Sequence, residues 1–230
     1  MESAESIVVF TGAGISAESG IPTYRGEGGV WRQYRAEDLA TMDAFRRDPD
    51  LVWEWYGERR QAMAECDPGP GHRALAALER RVGDGFLLVT QNIDNLHRRA
   101  GSERILEIHG NAFRTVCSGC GRGPGGYETS VPSTTTCVHC GDRLRPDVVW
   151  FGEPLDPTVI GAAFQAAAEC QVLLCIGSSL LVRPAASLPE IAIEAGADII
   201  EVNPEPTWLT ARARWSFQEQ AGRALPLIAG

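Results

Sequence analysis

Lysine is absent from this chain of 230 residues: all 21 of its basic side chains are arginine. The absence excludes a Walker-type phosphate lysine, a lysine Schiff base and any other chemistry built on an ammonium group. Positive charge is also outnumbered, because 30 acidic residues leave a formal net charge of -9 at pH 7. That balance argues against nucleic acid as a partner, since phosphate binding needs clustered positive charge. A basic protein substrate is tolerated much better. A GC-rich codon usage would also favour arginine over lysine, so the composition suggests a partner class and no more. Long apolar runs are missing as well. None approaches the ~20 residues that span a bilayer, and no membrane association is expected. The first residues, Met1-Glu-Ser-Ala-Glu-Ser, are acidic and lack the positive start of a secretion signal. A cytoplasmic location is therefore the expectation.

What is present reads as a soluble α/β protein of one domain with insertions. Four apolar runs have the length of buried parallel strands: Ile7-Val-Val-Phe10, Phe86-Leu-Leu-Val89, Val172-Leu-Leu-Cys-Ile176 and Asp198-Ile-Ile-Glu-Val202. Each ends in small or polar residues, and in an open α/β sheet ligands bind beyond the carboxyl ends of strands. Helical patterns over 71–81 and 157–169 lie between them. The expected fold is a Rossmann-like, doubly wound parallel sheet built from about 1–25, 71–112 and 147–230. Two stretches interrupt it. Residues of about 26–70 form a helical insertion rich in tryptophan and arginine. Residues of about 113–146 are rich in Gly, Ser and Thr, have little apolar periodicity and need a staple to fold.

Cysteine supplies that staple. Of seven, Cys66, Cys170 and Cys175 are scattered, which suits reduced thiols in a reducing compartment. The other four, Cys117-Ser-Gly-Cys120 and Cys137-Val-His-Cys140, give C-x2-C-x16-C-x2-C. Two-residue gaps let both sulfurs of a pair turn towards one tetrahedral zinc ion. Four thiolates fill the coordination sphere, so the zinc is structural and leaves no position for substrate or water. His139, between ligands, is expected to face solvent. Few basic residues accompany the quartet, which argues against a DNA-binding zinc ribbon.

Phe10-Thr-Gly12-Ala13-Gly14-Ile-Ser-Ala17 follows a strand and contains G-x-G-x-x-A. Glycines at 12 and 14 permit a tight turn and close backbone approach to a pyrophosphate. Gly20-Ile-Pro22 then stops the helix after barely two turns, unlike a hydride-transfer dehydrogenase. A dinucleotide bound here serves other chemistry.

Gly12 to Arg25 (GAGISAESGIPTYR), Gln91-Asn-Ile-Asp94, Glu107-Ile-His-Gly110, Gly177-Ser-Ser179, Asn203-Pro-Glu205 and the cysteine quartet together resemble the sirtuin family, in the family's order and over essentially the whole chain. The resemblance implies NAD-dependent removal of acyl groups from protein lysines, with NAD consumed as co-substrate and one structural zinc ion. It makes His109 the base that activates a ribose hydroxyl, a task suited to an imidazole that titrates near working pH. His72 and His97 are expected to be structural. Gly12, Ala13, Gly14 and Glu18 fall in the cofactor-binding motif. By the same resemblance Gln91 and Asn92 contact the nicotinamide ribose, and Ile93 and Asp94 line the nicotinamide pocket. Asp94 is also placed to cap the helix that holds Leu96 and His97; one residue is not expected to serve both ends. Tyr24, where the family more often has phenylalanine, and Arg25 cover the nicotinamide site. Gly177, Ser178 and Ser179 meet the phosphates or adenosine ribose, Asn203, Pro204 and Glu205 the adenosine side, and Ala221, in the last loop, the adenine.

Asp48-Pro49 reads as a helix N-cap and first helical residue, opening a helix through about residue 64. Tyr56 and Arg59 stand three apart on it and share a face. Val52-Trp-Glu-Trp-Tyr-Gly-Glu-Arg-Arg60 resembles the sirtuin subclass that removes succinyl, malonyl and glutaryl groups, in which this Tyr and Arg bind the acyl carboxylate. Ala40 matches a small position that leaves room for the longer chain. Val148-Val-Trp-Phe-Gly-Glu153, with Val149 and Phe151, is strand-like and breaks at glycine; the resemblance pairs it with the loop at 179–182. In sirtuins the substrate peptide pairs between the two as an added strand. Acylated lysine-containing proteins are thus the implied partners, and the chain is expected to be a monomer. Three alternatives stay open here: a plain deacetylase, a mono-ADP-ribosyltransferase, and a non-catalytic NAD-sensing protein.

Overall fold

The computed structural model describes residues 4–24, 29–30 and 34–228. Its strands are β1 (Ile7–Thr11), β2 (Phe86–Thr90), β3 (Ile105–Glu107), β4 (Gly110–Cys117), β5 (Leu144–Val148), β6 (Val172–Ile176), β7 (Asp198–Val202) and β8 (Trp215–Phe217). Among the described residues, six of them form one sheet in the order β3-β2-β1-β6-β7-β8, every pair parallel. The four apolar runs are its four inner strands. The two edges, β3 and β8, are three residues each and only partly buried, so no apolar run announces them.

Alternate residues of the inner strands feed two cores. Ile7, Val9, Leu88 and Leu174 meet Leu75 and Leu78 of one long helix and Ala224 and Leu225 of the last one. Val8, Phe10, Val89 and Leu173 meet Ala163 and Ala167, and Leu188 and Ala192, on the opposite face. Helices on both faces are what the unbroken apolar runs require.

The α-helices that lie wholly within the described residues are α1 (Gly14–Ala17), α2 (Ala36–Leu39), α3 (Met42–Arg47), α4 (Pro49–Glu65), α5 (Pro70–Val82), α6 (Leu96–Arg99), α7 (Pro157–Glu169), α8 (Leu188–Glu194) and α9 (Ala221–Ile228). α4 begins where the sequence reading puts it. Proline, which has no N–H to leave unbonded, occupies its first position, and the Asp48 carboxylate accepts the Leu51 N–H at 3.0 Å. Three expectations need correction. α1 is a single turn rather than two, ended before Gly20, whose φ of 92° breaks the helical path. The strand at 148–153 stops at Val148; beyond it the chain forms only an isolated bridge, Thr41 with Phe151. Ala221 lies not in a loop but at the start of α9, and is buried.

The two interruptions of the sheet share a third core. Phe45, Trp53, Trp55, Tyr56 and Met63 of the helical insertion pack with Phe113, Cys117, Cys137, Leu144 and Trp150. Arg60 fastens the two together. Fully buried, its guanidinium donates to the carbonyls of Ala112, Arg114 and Ser130 and to Thr115 Oγ1, with its charge 5.2 Å over the Trp53 ring. The Trp53 indole donates to the Leu144 carbonyl at 3.0 Å. The cysteine-bearing stretch thus borrows its apolar partners from α3 and α4.

Candidate functional site

Register brings the motif loops together. Thr11, at the end of β1, lies beside Thr90 and Ile176, Thr90 beside Glu107, and Ile176 beside Val202. Five strands therefore end at one level, and the next residues, Gly12, Gln91, Ile108, Gly177 and Asn203, leave the sheet side by side.

Backbone proximity governs the middle of this edge. Gly14 N–H donates to the Gly177 carbonyl at 2.9 Å, and Gly12 N–H to the Ile176 carbonyl at 2.9 Å. A Cβ on Gly14 would lie 2.7 Å from Gly177 Cα, and one on Gly12 2.7 Å from Gly177 O. Gly177 has a φ of 59°, and its own Cβ would meet Ile15 N at 2.6 Å. The three glycines let the loops after β1 and β6 pack backbone to backbone into a cradle at the start of α1, with Gly12 and Gly14 N–H spent on holding the two loops together. The tight turn is of the kind a pyrophosphate-binding loop needs. Around it, Gln91 Nε2 donates to Ser178 Oγ (2.9 Å), Asn92 Nδ2 to Gly12 O (3.1 Å), and Asn203 Nδ2 to Ser178 O (2.9 Å). Glu18 reaches across the start of α9 and accepts the Gly222 N–H at 2.6 Å. Ser178 is buried, whereas Ser179, Pro204 and Glu205 are exposed on the rim.

Behind the cradle lies a small cavity lined by Ala13, Ile21, Tyr24, Arg59, Ile93 and Asp94, among others. Asp94 lines this cavity and holds the turn that leads into α6. Its Oδ1 accepts the Leu96 N–H at 2.9 Å, one position before the helix's N-cap residue Asn95, and its Oδ2 accepts from Ser16 Oγ at 2.7 Å. Burial raises its pKa against the pull of these bonds. Near it, His72 and His97 stand ring to ring at 4.8 Å, both buried, with His72 Nε2 3.3 Å from Ser16 Oγ. Arg25 falls outside the described residues.

His109 follows β3 by two residues. Its Nδ1 lies 3.1 Å from the Gln91 carbonyl. A carbonyl only accepts, so Nδ1 carries the hydrogen and Nε2 keeps the lone pair. Burial lowers the pKa of the ring below 6.5, with the bond to Gln91 opposing. His109 is thus a neutral imidazole at pH 7, with Nε2 free to accept a proton. Its own carbonyl accepts the Val149 N–H at 3.0 Å, and Phe151 N–H donates to the Ala40 carbonyl at 2.9 Å. The residues assigned to peptide docking therefore sit directly beside the candidate base.

Arg59 and Tyr56 do not occupy equivalent places. Arg59 lines the cavity, its guanidinium 5.5 Å from the Tyr24 ring centre and 4.8 Å from that of Trp55. Its Nε is buried without a hydrogen-bond partner. The guanidinium is hydrogen-bonded to the Tyr24 hydroxyl, whose pKa burial raises. Tyr56 lies deeper, 2% exposed, and its oxygen accepts the Trp150 indole N–H at 3.0 Å. Met63, one turn beyond Arg59, and Ser16 in the glycine-rich loop complete the cavity and were missed. The i,i+4 spacing from Arg59 was the available signal for Met63.

At the far end of the molecule the four cysteine sulfurs lie within 4.8 Å of one another. Cys117 and Cys140 sulfurs are 3.4 Å apart, and Cys120 and Cys137 sulfurs 3.7 Å. Tetrahedral zinc with bonds of about 2.3 Å sets sulfurs about 3.8 Å apart, so the quartet fits the ion. Backbone N–H groups of Gly119, Cys120 and His139 point at Cys117 and Cys137 sulfurs, each at 3.4 Å, as knuckle turns around thiolates do. His139 itself is exposed.

The geometry has close counterparts. The Sir2 family matches residues 12–184. An NAD-dependent protein deacylase of Aquifex aeolicus is 47% identical over 224 residues, covering 97% of this chain and 93% of that protein. A Sir2 homolog solved as an NAD complex superposes with a TM-score of 0.91 at 41% identity, covering 99% of this chain and 89% of its own. A Sir2 protein solved with a p53 peptide and NAD+ gives 0.84 at 29%, covering 98% and 92%. Likeness of this extent, on a glycine cradle and polar sheet edge already arranged for a dinucleotide, establishes that the chain belongs to the Sir2 family.

Proposed function

We propose that the protein is an NAD-dependent protein-lysine deacylase that removes succinyl and malonyl groups, and acetyl groups less efficiently, releasing nicotinamide and O-acyl-ADP-ribose. NAD supplies the electrophile, since loss of nicotinamide opens C1′ of its ribose to the acyl carbonyl oxygen. The chain supplies position and one proton acceptor. Gly12, Gly14 and Gly177 hold the pyrophosphate against bare backbone. Ile93 and Asp94 receive the carboxamide. Nε2 of His109 takes the ribose hydroxyl proton as that oxygen attacks the acyl carbon. The C–N bond to lysine then breaks, the amine leaving with a proton, and water adds to the acyl carbon so that its bond to the C1′ oxygen breaks, which yields O-acyl-ADP-ribose.

The acyl preference rests on one observation: Arg59 faces the cavity with Nε buried and unbonded. A buried donor without a partner is costly, and an acyl carboxylate satisfies it with a two-pronged bond. Acetyl brings no such acceptor. A plain deacetylase is the second reading, favoured by the Tyr24 hydroxyl and the two aromatic faces, which already satisfy part of the guanidinium.

Incubation with NAD and matched acetyl-, succinyl- and malonyl-lysine peptides, read by mass spectrometry, separates the two. Succinyl should exceed acetyl in kcat/KM, and Arg59→Met should narrow the gap by ~10–1000-fold, the weight of one or two charge-assisted hydrogen bonds. Equal rates, unchanged in Arg59→Met, leave the plain deacetylase. No acyl-ADP-ribose from any peptide sinks the deacylase reading altogether.

A further inference from the structure

A tyrosine reads a carboxylate only when its hydroxyl hydrogen points at it, and nothing within Tyr56 decides where that hydrogen goes. A phenol oxygen donates once and accepts as well. Here the Trp150 indole N–H donates to the Tyr56 oxygen at 3.0 Å in a buried contact. Indole is a donor only, so this bond has one direction. With Trp150 as its donor, Tyr56 is left to give its own hydrogen elsewhere; its charged neighbours are the guanidiniums of Arg59, three residues on along α4, and Arg145, which donate and cannot accept it. Burial keeps the phenol protonated, pushing its pKa well above 10.

Trp150 is in turn held on three sides. The Arg145 guanidinium lies 3.6 Å over its ring, and Phe45 packs against it at 5.3 Å. Arg145 is clamped by both oxygens of Glu153 and by the Val148 carbonyl. Glu153 also accepts the Trp150 backbone N–H at 2.8 Å. On either side of Trp150, Val149 is bonded to His109 and Phe151 to Ala40. One side chain therefore joins the loop that borders the base to the tyrosine on α4.

We infer that Trp150 is a specificity-determining positioning residue: its indole N–H orients the Tyr56 hydroxyl as a donor, favouring acyl groups that end in a carboxylate. The inference rests on the carboxylate reading of Tyr56 and Arg59 proposed above.

Trp150→Phe deletes the N–H and keeps a ring against Arg145 and Phe45. The succinyl-to-acetyl ratio of kcat/KM should fall about 5- to 20-fold, carried by the KM for the succinyl peptide rather than by kcat. Tyr56→Phe should lower the ratio to a similar extent, and the double variant no further, because both delete one unit. A fall in both acyl activities by one factor, or effects that multiply, overturns the inference while leaving the carboxylate reading intact. A native enzyme without succinyl preference, unchanged in Arg59→Met, overturns the reading and the role of Trp150 together. If Trp150→Phe does not fold, the indole N–H resonance of the native protein compared with that of Tyr56→Phe tests the same bond from its other end. It should shift on loss of the phenol oxygen, and an unmoved resonance overturns the proposal.

Discussion

Burial lowers the pKa of three histidines in this protein, with consequences that depend on what each ring touches. For His109 the lowered value keeps Nε2 free of a proton at neutral pH. The acidic limb of the kcat/KM profile should therefore lie below 6.5, and a limb above 6.5 would show that another group is the base. For His72 the effect is on stability. Its Nδ1 accepts the Gly69 N–H at 3.2 Å and its pKa is lowered to about 4. The unfolded chain takes up this proton near 6.5, while the folded chain holds it off until about 4. Stability is therefore complete above 6.5 and drains as the pH falls between the two values. Thermal unfolding from pH 7.5 to 4 should show a loss on the order of 3 kcal/mol in the native protein that is absent from His72→Gln. Equal pH dependence in both proteins would locate the loss elsewhere. The buried carboxyl of Asp94, raised rather than lowered, opposes this trend, which is why the difference between proteins is the quantity to measure.

Elements differ in how openly the sequence declares them. β1 and β6 are buried throughout and appear as unbroken apolar runs. β3 and β8 are edge strands of three residues, stabilised on one side only, and neither leaves a pattern. α4 is legible from its cap and proline because a helix start is a local event. That Tyr56 lies under Trp150 is not legible, since 94 positions separate them and only the folded third core brings them together. The same division holds in the site. Glycines 12, 14 and 177 are visible as residues, but their mutual contact depends on the register of β1 and β6. That contact makes a sharp prediction. Gly177→Ala adds a Cβ 2.6 Å from the Ile15 nitrogen, at a φ of 59°. Both strain and collision act between backbones, which cannot swing aside. NAD binding measured by calorimetry should weaken by at least 100-fold or the protein should fail to fold, whereas Gly161→Ala, inside α7 with nothing within 4 Å of its Cβ and no positive φ, should bind NAD normally. Unimpaired binding in Gly177→Ala would dismiss the cradle.

At the scale of the whole molecule, the helical insertion and the zinc-binding module are one body. Cys117 and Cys137 lie in the same buried cluster as Trp53 and Phe45. Stripping the metal should therefore loosen more than the module. The native protein should contain one zinc ion per chain, and chelation should raise amide exchange both in 113–146 and in 42–65. Exchange confined to 113–146 would show the module to be independent. The missing lysine also takes on a second meaning at this scale. A lysine deacylase without lysine has no side chain that can become its own substrate, and arginine supplies every fixed positive charge, Arg59 included. Finally, the level ending of five parallel strands makes the sheet edge a ruler. His109 follows β3, Gln91 β2, Gly12 β1, Gly177 β6 and Asn203 β7, one strand spacing apart, so the marks span about 19 Å at ~4.8 Å each. Their order across the sheet differs from their order in the chain. On the assignment proposed above, base and nicotinamide stand at one end, phosphates in the middle and adenosine at the other, so the strand order would set which way round the dinucleotide lies.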